Sequence, residues 1–467
     1  KPINLCQVQK SIINNDQAIP SKFGFSDKIC RSWRIVAHTT PRLWASMHIV
    51  VPPTRKLPQL VDLVSKWIQR SGAVPLDFSL VYPRKADYTL DISSLITPLV
   101  AESHRWREVQ LEKQSWHHLT SLKPEDVPVL ASVTLPDRLD GSPHEPDPPE
   151  PLLFLGTRSL RSLRCSCTSY LTRNPISWAS LTSLNAMTPS ISYDFALDIL
   201  SRCPLLETCT LHITGPGAHH SDSELMYSTH RPSLFHLHHL FVESFGGISI
   251  HDPAHLFDKL DIPALGSFER YSIGEFPPNI SSRAIFPSVL THIERLKIGV
   301  RTMSSELLIS ALAAMPILKE LHIIYEPYEY SGAHGRRTRD RKFLARLSVT
   351  SSESHFPTLC PRLRYLTLGQ FKRLSDNTLL NFILSRTEQH LGSLAQAPQF
   401  SNVVPLRRVS CTLTREMERD ILPELEPHRG DMQIELKYEV KNTTARWTIA
   451  SECFAYSPLE GMDYFEP

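Results

Sequence analysis

The sequence predicts an α/β fold: a solenoid of repeated units, with short parallel strands on its concave side and helices on its convex side. Two observations predict it. The first is a recurring pattern, a Pro or small residue followed by L-x-x-L-x-L, plainest in residues 127–135 (VPVLASVTL), 315–323 (MPILKELHI) and 360–368 (CPRLRYLTL). The second is the set of helical stripes that fall between copies of the pattern. L-x-L alternation makes a short strand with one buried face, and the rest of each unit supplies the helix that covers it.

The first apolar positions of the copies are Trp106, Leu130, Leu160, Leu181, Leu206, Leu234, Leu265, Ile293, Leu318, Leu363 and Leu406. Their spacings are 24, 30, 21, 25, 28, 31, 28, 25, 45 and 43 residues. Most fall in or near the range of about 20–29 typical of leucine-rich repeats, and the two longest leave room for insertions. Helices are predicted at residues 193–202, with Phe195 and Ile199 inward, and at 306–314, with Leu308 and Leu312 inward. A third spans residues 374–384, capped by Ser375 or Asp376, with Leu379, Leu380, Ile383 and Leu384 inward. The array is assigned to residues 73–425. A β cap follows at 426–467, where residues 433–456 alternate like a pair of strands.

Two stretches inside the array read as surface loops. Residues 136–151 (PDRLDGSPHEPDPPEP) are rich in proline and acid and bury nothing; residues 335–342 (GRRTRDRK) carry five basic side chains and one Asp. No aromatic residue interleaves that basic run, and the formal net charge of the chain is only +2, so nucleic acid is not implied as a partner. The longest apolar stretch, Leu307 to Leu318, contains Pro316 and is too short for a membrane span. Nine cysteines without paired spacing suit free thiols in a reducing compartment, cytoplasm or nucleus.

Catalytic motifs are missing: there is no G-x-S-x-G elbow, no phosphate-cradling G-x-x-x-x-G-K and no H-E-x-x-H. Neither an enzyme activity nor a cofactor or metal is expected. Cys165, Cys167, Cys203 and Cys209 sit where small apolar groups pack, and His117-His118 and His219-His220 match no ligand spacing. Function is expected on the concave face, at the variable residues between the strand leucines. From Glu108 to Thr210 these residues are mostly small and neutral; beyond, they are charged or aromatic. The predicted protein-binding residues are therefore His236, His238, Glu269, Arg295, Lys297, Glu320, His322 and Tyr365.

Ahead of the array, residues 1–28 show no helical stripe, and residues 29–72 read as a small helical segment. Cys30, Trp33 and Ala37 form one stripe of a short helix, Thr39, Thr40 and Pro41 stop it, and Leu43 and Trp44 follow as an apolar anchor. This run, ICRSWRIVAHTTPRLW, resembles the second half of the F-box in the F-box and leucine-rich-repeat proteins of basidiomycete fungi. Their pattern is V-C-R-x-W-R-x-I-A-x-x-T-P-x-L-W, matched here by Cys30, Arg31, Trp33, Arg34, Ala37, Thr40, Pro41, Leu43 and Trp44. Residues 67–80 are similar to the W-L-x-R-S-G-x-x-P-L-x-L-x-L stretch that follows. The resemblance implies docking of a Skp-family adaptor through Cys30, Arg31, Trp33, Arg34, Ala37, Pro41, Leu43 and Trp44. The chain would then be the substrate receptor of a cullin-RING ubiquitin ligase, holding an unknown target on its repeats. Residues 1–28 lack the Leu-Pro opening of that family, so the implied F-box is incomplete, and a repeat scaffold with no ligase link stays open as the alternative.

Overall fold

A computed structural model describes residues 35–439 except 37, 53, 83–89, 137–149, 167, 215–231, 246–258, 274–290, 300–304, 326–338, 350–357, 395–399 and 401. Cys30, Arg31, Trp33, Arg34 and Ala37 therefore lie outside the described residues, as does most of the acidic loop. The chain forms two compact units, Lys1–Leu321 with Leu359–Leu363, and His322–Thr358 with Arg364–Pro467.

The first unit holds ten complete strands among its described residues. They are β1 (Ser46–Val50), β2 (Leu76–Val81), β3 (Trp106–Leu111), β4 (Ser132–Leu135), β5 (Ser162–Cys165), β6 (Ser183–Ile191), β7 (Thr208–Thr214), β8 (His239–Phe245), β9 (Ser267–Ile273) and β10 (Arg295–Gly299). Neighbours in the sheet are neighbours in the chain, and each pair from β1–β2 to β9–β10 is parallel. Strand residues alternate between an apolar core face and a polar face. Met47 and Ile49, Val133 and Leu135, Leu184 and Ala186, and Leu296 and Ile298 are all buried on the core face.

The helix α1 (Leu57–Ser71) shows how one repeat closes. Pro58 starts it at a position that needs no N–H, and Gly72 ends it with φ of 56°, a conformation glycine adopts without penalty. Leu57, Leu60, Val64, Trp67 and Ile68 form its buried stripe, and Leu60, Val64 and Trp67 line one small cavity with Met47 and Ile49 of β1. Further along, α2 (Ser93–Ala101), α3 (Thr168–Arg173), α4 (Tyr193–Ser201) and α5 (Ser305–Ala313) alternate with short 3-10 turns. Large aromatic side chains fill the wider connections. Trp106 lies edge-on to Phe78 and Phe154, and its indole N–H donates to the Leu99 carbonyl at 3.0 Å.

The boundary between the units falls inside β11 (Glu320–Ile324). The second unit continues with α6 (Arg339–Leu347), β12 (Tyr365–Phe371), α7 (Asp376–Ser385), α8 (Glu388–Leu394), β13 (Arg408–Leu413), α9 (Leu422–Leu425) and β14 (Gln433–Tyr438). β12 and β13, and β13 and β14, pair in parallel.

Several sequence expectations need correction. Residues 29–72 are not wholly helical, because Ser46–Val50 already forms a strand of the sheet and α1 covers it; Leu76–Val81 forms the next strand, so two repeats precede Trp106. The β8 repeat was placed three residues early: its first apolar position is Leu237, not Leu234, since Leu240 and Val242 are the core residues that follow. The basic run is not all loop. Arg339 opens α6, which forms because Phe343, Leu344 and Leu347 are buried, and because the fully buried Arg386 caps its end, donating from Nε to the Leu347 carbonyl at 2.9 Å. In α7, Phe382 is buried where Leu384 was expected. Residues 433–438 form a strand as expected, parallel to β13 and last in the sheet among the described residues, and residues 440–456 lie outside the described residues.

Candidate functional site

The polar face of β7 to β10 carries a set of side chains linked to one another across four strands. Strand register sets it. Thr210, Phe241, Glu269 and Lys297 align across the four strands, and His212, Glu243 and Tyr271 align one step further along β7, β8 and β9. Two aromatic rings and two carboxylates thus alternate like squares of a board.

The geometry links them. His212 Nε2 lies 2.9 Å from Glu243 Oε2, and its ring stacks against Phe241 with centroids 6.1 Å apart. Phe241 and Tyr271 are 5.5 Å apart and tilted. Lys297 Nζ is 3.2 Å from Glu269 Oε2 and 5.6 Å from the centre of the Tyr271 ring, within cation–π range. The Lys297 and Glu269 side chains are 18% and 23% exposed, so the pair is partly desolvated yet reachable. Nearer the start of the strands, His239 Nδ1 lies 3.0 Å from Ser267 Oγ, and burial, the largest influence, holds the His239 pKa below the usual histidine value.

The predicted residues divide on this map. Glu269, Arg295, Lys297 and Glu320 lie on the face, with Arg295 and Glu320 exposed. His322 and Tyr365 belong to the second unit, where Tyr365 is exposed at the start of β12. His236 and His238 are not on the strand at all; they are exposed in the turn before β8, and His239 and Phe241 take the positions assigned to them.

His212, Phe241, Glu243 and Tyr271 were missed in the sequence for two reasons. The three-residue slip hid Phe241, and taking only two face positions per strand left out His212, Glu243 and Tyr271, although β7, β8 and β9 are each seven residues long. Spacing could not expose the slip, since Leu206 to Leu265 divides as 28 then 31 residues at Leu234 and as 31 then 28 at Leu237.

At the other end of the first unit, the short 3-10 helix Pro41–Trp44 packs on α1. The Trp44 ring meets Trp67 edge-on at 4.7 Å, the Arg70 guanidinium lies 4.6 Å over it, and the His38 ring stacks at 6.1 Å. Pro41 is exposed, and Leu43 and Trp44 are half-buried. Trp44 therefore spends much of its surface on the first repeat helix of its own chain.

Cys203 and Cys411 are buried, and burial pushes both thiols up to about 12, leaving them protonated. Among the described residues no three His, Cys, Asp or Glu side chains converge to hold a metal ion, and no helix is long and apolar enough to cross a membrane. The chain is an α/β protein of parallel strands in chain order, bearing a polar sheet face set with aromatic rings. No protein-family model matches it, and no curated protein is significantly similar to it.

Proposed function

We propose that the chain is a leucine-rich-repeat solenoid that binds a protein partner without catalysing a reaction, and that it serves as the substrate-recognition subunit of a cullin-RING ubiquitin ligase. The observation that carries partner binding is the Phe241–Tyr271 pair framed by Glu243, Glu269 and Lys297 on one open sheet face. Aromatic anchors among partly desolvated charges are what protein interfaces concentrate their energy in. The ligase link rests on the likeness of residues 29–80 to the fungal F-box proteins. A Skp-family adaptor would dock on Cys30, Arg31, Trp33, Arg34, Ala37, Pro41, Leu43 and Trp44, and the site of action would be cytoplasm or nucleus.

A second reading, a repeat scaffold with no ligase attached, is favoured by one specific observation: Trp44 is packed on Trp67 and Arg70 of its own chain. Co-expression with a basidiomycete Skp-family adaptor separates the two. Co-purification abolished by Trp33→Ala is the expected result; Trp44→Ala is the weaker control, since it also loosens the end of α1. A folded chain that never co-purifies with the adaptor leaves the scaffold reading.

A further inference from the structure

The sheet of the first unit begins at β1, and among the described residues no strand pairs with β1 on its other side. The β1–β2 ladder fixes which backbone groups face that edge. Asp77 N–H donates to the Ala45 carbonyl at 2.8 Å and Val51 N–H to the Val81 carbonyl at 2.9 Å, so Ala45, Met47, Ile49 and Val51 turn their backbone groups toward β2. In a parallel ladder the alternate residues turn the other way, which aims the N–H and C=O of Ser46 and His48 outward. Native proteins blunt such an edge with a Lys, a Pro or a bulge. None of these interrupts Ser46–Val50.

Two further observations fall at the same edge. Every residue lining the small cavity of the first repeat comes from β1 or α1, Met47, Ile49, Leu63 and Trp67 among them, so the cavity lies on the outer side of that repeat. No Asp, Glu, Lys or Arg lines it, which suits it to an uncharged group. Trp67 is only 6% exposed, and its Nε1–H is buried with no acceptor among the described residues. A buried indole N–H normally has one, and here an acceptor must come from outside the described residues.

We propose that β1 is a self-association edge, where β1 of a second copy of this chain adds antiparallel and continues the sheet. The strand SMHIV is complementary to itself. Pairing about His48 sets the His48 backbone groups of the two copies against each other and Met47 of each copy against Ile49 of the other, with both apolar pairs on the core side. A twofold axis through that pair, perpendicular to the sheet, keeps the covering helices of both copies on one face. Each cavity then meets an apolar residue of the other copy, and the thioether of Met47 is a weak acceptor suited to an indole beside it. No charged residue on β1 opposes a second copy.

The inference is independent of what binds the polar face of β7 to β10, and its test uses the full chain alone. Sedimentation equilibrium over a range of concentrations should show a reversible monomer–dimer equilibrium. His48→Pro removes an outward N–H while sparing the bonds to β2, and Leu63→Lys puts a charge on a half-buried residue of the cavity. Each should weaken the dimer about tenfold or more. Ser65→Lys, on the exposed side of α1, should leave it unchanged. Trp67→Phe deletes the orphan donor and should weaken the dimer while the Tm of the monomer stays the same or rises. Where a variant fails to fold, hydrogen exchange in the wild type decides: the Ser46 and His48 amides should exchange fast in dilute solution and become protected as the dimer forms. A wild type that is monomeric throughout, or a dimer that survives both His48→Pro and Leu63→Lys, overturns the proposal. Ser46 and His48 amides already protected in the monomer overturn it too, and assign the edge to the chain's own residues.

Discussion

Glu269, Lys297 and Tyr271 on the first unit and Asp376, Arg415 and Tyr438 on the second are built from the same ingredients, an acid, a cation and a phenol, and burial separates them. Asp376, in the first turn of α7, is fully buried. Its carboxylate accepts from Arg415 Nη2 at 2.5 Å, from the Glu418 and Arg419 backbone N–H groups at 2.9 and 3.0 Å, and from Tyr438 Oη at 2.9 Å. That carboxylate ties three segments of the second unit together. Glu269 and Lys297 form an ion pair and keep about a fifth of their side-chain surface in contact with solvent. A saturated, buried carboxylate holds structure, whereas a partly exposed pair beside two aromatic rings is placed to meet another molecule.

The largest effect expected from this contrast is on stability. Asp376→Ala should cost about 3–5 kcal/mol, because it removes a fully buried carboxylate and leaves the partly buried Arg415 without its short ion pair. A calorimetric melt should lose the second unit first, and a wild-type melt would break the comparison. Next, Phe241→Ala and Tyr271→Ala should each weaken partner capture by roughly tenfold or more, about 2 kcal/mol, as truncated anchors do. Capture assays on the folded variants check this. Smaller still is the stability change in Glu269→Lys with Lys297→Glu, within about 1 kcal/mol, since the swap keeps an ion pair while reversing its polarity towards a partner.

Acid should expose the same division. Burial raises the Asp376 pKa, but its bonds from Arg415, Arg419, Tyr438 and Glu418 outweigh that and hold it below the usual aspartate value. Its contribution is therefore fully present above about pH 3.9, the unfolded value, and is lost as pH falls through the lower folded pKa. His239 is depressed by burial, so the folded state resists its protonation; stability from this group is complete above about pH 6.5 and declines as pH falls below that. Denaturant midpoints at pH 7.5 and 5.5 should thus drop less in His239→Gln than in the wild type. Equal drops would remove His239 from the account.

The strands were legible wherever L-x-x-L-x-L kept its spacing, because every second residue must be buried for the sheet to have a core. Leu363, Leu366 and Leu368 are such a case. Legibility failed where local pattern and tertiary packing competed. Leu234 and Leu237 are both buried, and periodicity alone could not say which of them starts the strand. Residues 335–342 (GRRTRDRK) read as a loop because they hold no apolar side chain of their own; the apolar residues that seat α6, Phe343, Leu344 and Leu347, come after them, and the Arg386 and Ser385 side chains, some forty residues away, cap its end. Lys297 and Glu269 were readable as face residues, while Tyr271 and His212 needed the observed strand length.

The most direct test of the central claim compares two variants against one captured partner. Binding and Tm are measured for the wild type, for Glu269→Lys with Lys297→Glu, and for Asp376→Asn. The swap should lose roughly tenfold or more in affinity with its Tm nearly unchanged, and Asp376→Asn should lose Tm while still binding. A swap that binds as well as the wild type would contradict the assignment of the partner to the face of β7 to β10.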